Sequence, residues 1–398
     1  MEEAPLNLEQ VNRFLLSKQH LAPGTQGDDV VRVVEDICAL HATAATTPYL
    51  SLWSRMEGFS RQQLEAELYE KRGLVRTICM RSTLHIVPAE RLPTFFQATK
   101  ERLQRDYSRQ AGRLLVQAGL CREGEEAETL GRLHRRVADA LAGRGPATVS
   151  VIGGLVPELK SKVKYNVDRP YGGEFSLGSR LVAGMCTLGL LVRAKPRGSW
   201  RSNLYEYALL ADWLSGMDLE ILAPEEAQTR LVRWYLAAFG PSTVEDIAWW
   251  SGFGKVRTRE ALSVLDDELV EVEIEGLGGC YLMLAADHQR LHETRLGMEP
   301  SANLLPTLDP YIMGYKDRRR FLAPEHYDRV FDRAGNALAT VWANGQVVGI
   351  WQEQEAAIEL LLLRDVEGEV LASVEATARR LGCFLGGQDV EVVVKPYT

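Results

Sequence analysis

A histidine and a threonine separated by one alanine form the segment of this sequence that is best suited to proton transfer. His41 and Thr43 directly follow an apolar stretch that is predicted to be a helix, and a turn is predicted at Pro48-Tyr49. A neutral imidazole can accept a proton near neutral pH, and a hydroxyl can hold a water molecule. The pattern is weak by itself, because a histidine at the end of an apolar helix is more often a packed, hydrogen-bonded residue.

Other patterns argue against several classes of enzyme. The sequence contains no dinucleotide fingerprint, Walker loop, zinc-protease motif or serine-hydrolase elbow. The six cysteines form no Cys-x-x-Cys pair, which excludes a zinc ribbon or a thioredoxin-like motif. His288 and His292 are spaced to share one helix face, but no third ligand is obvious nearby. We therefore expect neither a metal nor a nucleotide cofactor.

The composition is that of a globular protein with several domains. The chain has 398 residues, of which 46% are hydrophobic and 25% are charged. No apolar run approaches the ~20 residues that a membrane-spanning helix needs. The acidic start at Glu2-Glu3 lacks the basic-then-apolar pattern of a secretory signal. We therefore expect a cytoplasmic protein that binds no membrane.

The net charge of −8 hides an uneven distribution. Taken alone, it argues against non-specific nucleic-acid binding, because phosphate contacts need cations. Basic residues nevertheless cluster at 91–113, 195–201 and 316–320, whereas acidic residues cluster at 266–275. A molecule polarised in this way can bind an anion with one face. Any single run also fits a solvated helix face.

A repeat organises the middle of the chain. Gly145-Pro146-Ala147-Thr148-Val149 recurs 95 residues later as Gly240-Pro241-Ser242-Thr243-Val244. In each copy the Gly and Pro end one helix, and the threonine can cap the next. A short helix, a turn and a longer helix are then predicted. The short helices are predicted at Val149–Leu155 and Val244–Trp250, and the longer helices at Ser179–Gly189 and Lys255–Leu265.

Each copy then continues into a β-hairpin, at 190–207 and at 269–284. This order of elements is that of a helix-turn-helix with a wing, and the longer helix would be the recognition helix. The first wing carries Arg197, Trp200 and Arg201, which suit phosphate contact and base stacking. The second wing is acidic on its first strand and glycine-rich at its tip, which suits packing or entry into a narrow groove.

The N-terminal part repeats this order without the Gly-Pro marker. Helices are predicted at 7–19, 28–40 and 59–71, and a hairpin is predicted with strands at 75–79 and 83–87. The sequence therefore predicts three winged helices in tandem.

The tail differs, because Asn344-Gly345 joins two alternating runs and is a strong hairpin signal. Further strands are predicted at 356–363 and 390–394, and a helix at 375–385. The predicted fold is therefore α+β, with three tandem winged-helix motifs followed by a C-terminal β-barrel-like domain. The predicted segments are 1–135 (winged helix 1 with His41, Thr43 and a helical linker), 136–222 (winged helix 2), 223–300 (winged helix 3) and 301–398 (the β-barrel-like domain).

Several blocks of the sequence together carry a resemblance to a known family. They are 41–55, 80–88, 240–252, 305–318 and 342–351. In this order, and over nearly the whole chain, they resemble the winged-helix DNA glycosylases of the AlkZ/YcaQ type. The resemblance implies that the winged helices and the β-barrel form a C-shaped clamp around duplex DNA. It also implies excision of N-alkylated purines, including the unhooking of bulky or cross-linked adducts. In some members it implies self-resistance in producers of DNA-alkylating antibiotics.

The resemblance also implies a catalytic motif. Members with demonstrated excision look like Gln-apolar-Gln, and related branches carry Gln-apolar-Asp or a His in the first position. By this correspondence His41 and Thr43 take the places of the two glutamines. Alkylation at purine N7 leaves a cationic base that is already a good leaving group, so the enzyme must mainly hold a water beneath C1′ of the sugar. We expect neutral His41 to accept a proton from that water and Thr43 to hold it. Activity should then fall below the imidazole pKa of ~6.5.

The expected partner is double-stranded DNA that carries an N7-alkylguanine-type adduct, bound by a monomeric, monofunctional, nucleoid-associated glycosylase. Residues 81–85 are expected near the site because they fall in a family block, although His85 also fits a role in the fold. Asp309 is expected to cap a turn, and Tyr315-Lys316 to reach a phosphate. The predicted DNA-binding residues are Arg81, Ser82, Thr83, His85, Arg197, Trp200, Arg201, Tyr315, Lys316 and Arg318.

Two other functions fit the sequence. Loss of both glutamines and the charge of −8 favour a non-catalytic winged-helix DNA binder, either a regulator or a lesion-shielding protein. Winged helices also mediate protein contacts, so a protein-binding scaffold stays open. In favour of catalysis, both replacements are polar and can bind water.

Overall fold

The structure, a computed structural model, describes residues 4–167, 172–294, 301–355, 357–387 and 390–397, which form a mixed α+β fold. The α-helices in these residues are α1 (Leu8–Lys18), α2 (Val30–Asp36), α3 (Thr47–Trp53), α4 (Arg61–Glu65), α5 (Leu92–Gln117), α6 (Glu126–Leu141), α7 (Val149–Leu155), α8 (Leu177–Met185), α9 (Leu210–Trp213), α10 (Pro224–Phe239), α11 (Val244–Ser251), α12 (Lys255–Val264), α13 (Ala285–Glu293), α14 (Tyr327–Val330) and α15 (Gly368–Gly386). The strands are β1 (Leu40–His41), β2 (Leu74–Ile78), β3 (Leu84–Pro88), β4 (Ala147–Thr148), β5 (Lys162–Tyr165), β6 (Gly173–Ser176), β7 (Leu191–Pro196), β8 (Tyr205–Leu209), β9 (Leu269–Ile274), β10 (Leu277–Leu284), β11 (Ala302–Leu305), β12 (Thr340–Ala343), β13 (Gln346–Glu353), β14 (Ala357–Leu362) and β15 (Glu391–Pro396).

The chain forms two compact units. The first combines residues 1–64 with residues 229–398, and the second is residues 65–228. The four segments predicted from the sequence divide the chain by motif rather than by compactness, and they stay a prediction. None of the described helices has the length and apolar character required to cross a membrane.

The second unit contains the first copy of the Gly-Pro repeat. Helix α7 has the predicted bounds, and the Thr148 side chain caps it by accepting the backbone N–H of Val151. Strand β4 pairs with β8, and β8 pairs with β7, so that the sheet order is β4-β8-β7. The predicted short helix, longer helix and hairpin are therefore confirmed, with α8 beginning and ending a few residues early.

One hairpin of this unit was not predicted. Strands β5 and β6 lie between α7 and α8 and pair antiparallel, with Val163 opposite Phe175. Each strand has only four residues, so the alternation of polar and apolar residues is too short to stand out in the sequence.

The first unit contains the second copy of the repeat. Thr243 and Asp246 form a reciprocal capping box at the start of α11, and Gly252, directly after the helix, adopts a left-handed conformation. Helix α12 and the antiparallel pair β9 and β10 follow, as predicted. Ser242 pairs with Leu282, so the small residue of the Gly-Pro motif lies beside the last strand, as Ala147 does in the first copy.

Two predictions near His41 are wrong. The second helix, predicted at 28–40, ends at Asp36, because Cys38 adopts a left-handed conformation with φ of 69° that breaks the helix. His41 therefore lies in the short strand β1 rather than at a helix end. The turn predicted at Pro48-Tyr49 is instead the first turn of α3, where the missing N–H of a proline has no cost.

The predicted β-barrel-like tail is corrected to an open sheet. Its described strands are ordered β11-β12-β13-β14-β15, and no closed barrel is formed. The first four strands pair antiparallel, whereas β15 returns after α15 and pairs parallel with β14. This crossover leaves β11 and β15 as the two edges. Strand β14 begins at Ala357, and Ala356, the predicted first residue, lies outside the described residues.

Candidate active site and DNA-binding residues

His41 and Thr43 lie side by side in the first unit but differ in exposure. His41 is 4% exposed, whereas Thr43 is an exposed residue. The backbone N–H of Thr43 points at Nδ1 of His41 over 3.4 Å, a long hydrogen bond. A donor at this position favours the neutral tautomer that keeps Nδ1 unprotonated and carries the proton on Nε2. Nδ1 is then the nitrogen that can accept a proton.

A buried ion pair fixes the helix that follows the motif. Arg55, just after the end of α3, donates from its two terminal nitrogens to the two carboxylate oxygens of Asp309, each at 2.8 Å. Both side chains are fully buried. The Ser51 hydroxyl donates to the same carboxylate at 2.7 Å. This bidentate contact ties α3 to the 305–318 block.

Further hydrogen bonds extend this attachment along α3. Thr47 at its first turn donates to the carbonyl of Thr307 at 2.8 Å, and Ser54 at its end donates to the carbonyl of Leu304. Asp309 also accepts the N–H of Tyr311, which confirms the expectation that it caps a turn. The helix that begins four residues after Thr43 is therefore anchored at both ends.

The sequence did not predict that Arg55 forms a buried ion pair. Its partner Asp309 lies 254 positions away, and no local pattern links the two. The available signal was an arginine directly after an apolar helix whose sequence also belongs to a family block.

In the second unit, residues 80–83 form the tip of the β2–β3 hairpin. Arg81 and Ser82 both adopt positive φ, 51° and 61°, and the N–H of Thr83 bonds to the carbonyl of Met80. Two consecutive left-handed residues are usual for Asn-Gly, and they are costly for Arg-Ser. Strain of this kind often marks functional sites. His85 is buried, with Nδ1 3.1 Å from the Thr83 carbonyl oxygen, so its ring supports the turn.

The first wing presents its predicted residues at the surface of the second unit. Arg197 is exposed and pairs with Glu206 across the β7–β8 hairpin at 3.2 Å. The guanidinium of Arg201 lies 4.8 Å from the centre of the Trp200 ring. Both arginines can therefore reach an anion, although Arg197 would have to exchange its carboxylate partner.

The 315–318 segment of the first unit divides into buried and exposed side chains. Tyr315 is fully buried and its hydroxyl donates to the carbonyl of Phe239 at 2.8 Å, so it has no surface for a phosphate. Lys316 is exposed. Arg318 is 7% exposed and lies 4.7 Å from the Trp249 ring and 4.5 Å from the Phe331 ring. Of the three, Lys316 is the one that presents its charge to solvent.

The buried carboxylate of Asp246 holds this segment in place. Its Oδ1 accepts the backbone N–H groups of Lys316 and Asp317, at 2.8 and 3.0 Å, while its Oδ2 belongs to the capping box of α11. The basic loop is thereby attached to the second copy of the repeat. Burial lowers the pKa of the Arg318 guanidinium from its usual value.

The two histidines of α13 contact each other. Their Nε2 atoms are 3.2 Å apart. Within the described ranges of the chain, no group of three His, Cys, Asp or Glu side chains is arranged to hold a metal ion.

Comparisons with known proteins agree with this architecture. The model of the family described as AlkZ-like DNA glycosylase matches residues 34–384. A curated relative, the interstrand DNA cross-link repair glycosylase of Streptomyces sahachiroi, is 25% identical over 383 residues, which cover 93% of this chain and 94% of the relative. The solved structure of the DNA glycosylase AlkZ from Streptomyces sahachiroi has a TM-score of 0.74 at 22% identity and covers 98% of this chain and 100% of its own, which shows a shared fold. The resemblance predicted from the sequence blocks is confirmed, and the chain belongs to the AlkZ-like DNA glycosylase family.

Proposed function

We propose that this glycosylase removes N-alkylated purines from duplex DNA and unhooks interstrand cross-links. The observation that carries the proposal is the family match over residues 34–384, which includes the His41–Thr43 motif. The name of the Streptomyces sahachiroi relative describes repair of interstrand cross-links, and this chain aligns with 94% of it. The proposed enzyme is a monofunctional, monomeric hydrolase of N-glycosyl bonds.

Three tandem winged helices are proposed to bind the duplex. Support comes from the two copies of the Gly-Pro repeat, in which a capped short helix, a longer helix and a hairpin follow one another. In both copies a small residue pairs with the last strand. The clamp around DNA that the resemblance implies stays a prediction.

His41 and Thr43 are proposed to hold the attacking water. The bond from the Thr43 N–H to Nδ1 of His41 is long at 3.4 Å, and a water can replace it. That water would lie between Nδ1 and the hydroxyl of Thr43. It would give a proton to Nδ1 as its oxygen attacks C1′, while the electron pair of the N-glycosyl bond leaves with the alkylated base. Because an alkylated N7 makes the base a cationic leaving group, no residue has to protonate it.

Exposed cations are proposed to bind the phosphates. Arg197, Arg201 and Lys316 have the exposure that this needs. The strained turn at Arg81 and Ser82 supports a contact by the tip of the β2–β3 hairpin. Tyr315 is left out of this proposal, because its hydroxyl is buried and bonded to a carbonyl.

One observation favours the alternative, a non-catalytic DNA-binding protein. His41 is only 4% exposed, as expected for a packed histidine. A lesion-shielding protein would bind an adducted duplex without releasing a base.

Excision from a labelled duplex that carries one N7-alkylguanine tests the proposal. Small and bulky adducts and a cross-linked duplex are compared, and abasic sites are read as strand cleavage after alkali. We expect cleavage above spontaneous depurination for the wild type and loss of this excess in His41→Ala and Thr43→Ala. The matched controls are His288→Ala, a half-buried residue of α13, and Thr46→Ala, whose side chain makes no cap. Both should retain activity.

The pH profile separates the chemical roles. Since protonation of Nδ1 removes the acceptor, wild-type activity should fall as the pH drops below ~6.5. A flat profile from about pH 5 to 8 would rule out proton transfer to His41. Background cleavage on every lesion, combined with retained duplex binding, would favour the non-catalytic alternative.

A further inference from the structure

The β5–β6 hairpin has two faces of different character. Val163 is buried, whereas its neighbours Lys162 and Lys164 are exposed, as the alternation along a strand requires. Lys160, just before the hairpin, is exposed too. Three of the ten lysines in the chain thus fall within five residues. Lys162 and Lys164 share the outer face of β5, and Lys160 ends the short helical turn that precedes the strand.

The outer face carries little compensating negative charge. In the part of the chain that the structure describes, none of the three lysines forms an ion pair. Glu174 lies opposite Lys164 in the pairing register, and Ser176 lies opposite Lys162. Among the described residues of the two strands, Lys162 and Lys164 against Glu174 leave a net positive outer face, and Lys160 adds a third positive charge beside it.

The inner face holds the hairpin to its own unit. The guanidinium of Arg180, in the first turn of α8, lies 4.1 Å from the centre of the Tyr165 ring and 4.0 Å from that of Phe175. This cation–π contact joins the hairpin to the helix. The backbone N–H of Lys164 also donates to the side chain of Gln117 on α5, at 3.1 Å. Rings and hydrogen bonds therefore fix the inner face and leave the lysines outward.

The hairpin is also continuous with the predicted recognition helix of the first repeat. Its last residue, Ser176, caps α8 by accepting the N–H of Ser179, and the N–H of Leu177 donates to the Ser161 carbonyl at 2.8 Å. In winged-helix and related proteins the first residues of this helix enter the major groove. A strand immediately before it is in a position to follow the DNA backbone.

We propose that Lys162 and Lys164 on the outer face of the β5–β6 hairpin, together with Lys160 in the turn before it, bind the phosphate backbone of duplex DNA. This face is separate from the wing residues Arg197 and Arg201. The inference rests on the family's action on DNA, and it is independent of the chemistry proposed for His41 and Thr43.

Salt-dependent binding to an undamaged labelled duplex tests the proposal. Each phosphate contact contributes about −0.9 to the slope of log K against log salt concentration. Lys162→Gln/Lys164→Gln should therefore reduce the magnitude of the slope by about 1.8, and weaken binding about 10- to 60-fold at about 0.1 M salt. Glu174→Gln should act in the opposite direction and strengthen binding, because it removes the one carboxylate that faces these lysines.

The matched control is Lys71→Gln/Lys395→Gln, which removes two exposed lysines that are already paired with Glu67 and Glu359. Its slope should equal that of the wild type. Equal slopes for the test and control variants would overturn the proposal, and so would salt-independent binding by the wild type. Because the duplex carries no lesion, a failure of base excision leaves this result unaffected.

Discussion

Replacing Asp309 by asparagine removes the charge that balances a fully buried arginine. In the folded protein Asp309 accepts two hydrogen bonds from Arg55 at 2.8 Å and one from Ser51 at 2.7 Å. The amide of the substituted side chain would offer one carbonyl oxygen to these donors and would leave the guanidinium uncompensated. Breaking one side of a buried ion pair costs about 3–5 kcal/mol. The first unit should therefore lose stability by about this amount.

Urea unfolding, followed by tryptophan fluorescence and circular dichroism, measures the cost. In thermal unfolding, a unit of this size changes its Tm by about 2–4 °C per kcal/mol. The Tm should therefore fall by about 6–20 °C. The surface control is Glu375→Gln, which removes the half-buried partner of the exposed Arg379 on α15 and should cost less than about 1 kcal/mol.

A double variant separates charge from packing. Arg55→Met/Asp309→Leu removes both charges, and such apolar replacements of buried pairs are often neutral. It should therefore be more stable than Asp309→Asn. If Asp309→Asn costs no more than the surface control, the argument that this pair anchors α3 is refuted.

Two further predictions concern the second unit. At Gly184 of α8, a Cβ would lie 2.0 Å from the Tyr107 ring, whereas at Gly154 of α7 it would meet no atom within 4 Å. Gly184→Ala should therefore lower the free energy of unfolding in urea by about 1–3 kcal/mol. Gly154→Ala should be neutral or stabilise by up to about 1 kcal/mol. Equal effects of the two substitutions would contradict the tight packing at Gly184. Burial lowers the pKa of His134, whose Nε2 is 2.8 Å from the Tyr107 hydroxyl, to about 4. Since the unfolded imidazole binds its proton near pH 6.5, the stability that neutral His134 contributes is complete above that pH and is lost as the pH falls toward 4. After allowance for its partial exposure, about 1–2 kcal/mol is at stake. His134→Gln should lose less stability than the wild type between pH 7 and 5, and parallel losses would exclude this role.

The elements that the sequence predicted well are specified by neighbouring residues. Thr148 and Thr243 mark the starts of α7 and α11 because a side-chain cap needs a backbone N–H only three positions away. Asn344-Gly345 places the turn between β12 and β13 because both residues tolerate positive φ. Local signals of this kind need no knowledge of the rest of the chain.

The failures depend on distant contacts or on unusual backbone. No glycine marks the end of α2, because Cys38 itself adopts the left-handed conformation. The open C-terminal sheet depends on where β15 pairs after α15, which a strand pattern cannot specify. The burial of Tyr315 and the contacts of Asp309 with Arg55 and Ser51 involve hydrogen bonds between residues 76 and 254–258 positions apart. Candidate site residues could therefore be named from the sequence, but the sequence could not predict which of them are exposed.

On the proposed correspondence, in which His41 and Thr43 stand where related glycosylases carry two glutamines, the hydrogen-bonding capacity of the motif would be kept. A glutamine offers one acceptor and a donor group on the same amide, and a neutral histidine offers one acceptor and one donor on opposite nitrogens. A threonine hydroxyl supplies both functions on one oxygen. The Thr43 N–H points at Nδ1, so Nδ1 is the acceptor in this contact. The imidazole differs from the amide in one respect, because it can take up a proton. If the proposed water-binding role of His41 holds, base excision should therefore depend on pH, whereas an amide at the same position would leave it insensitive.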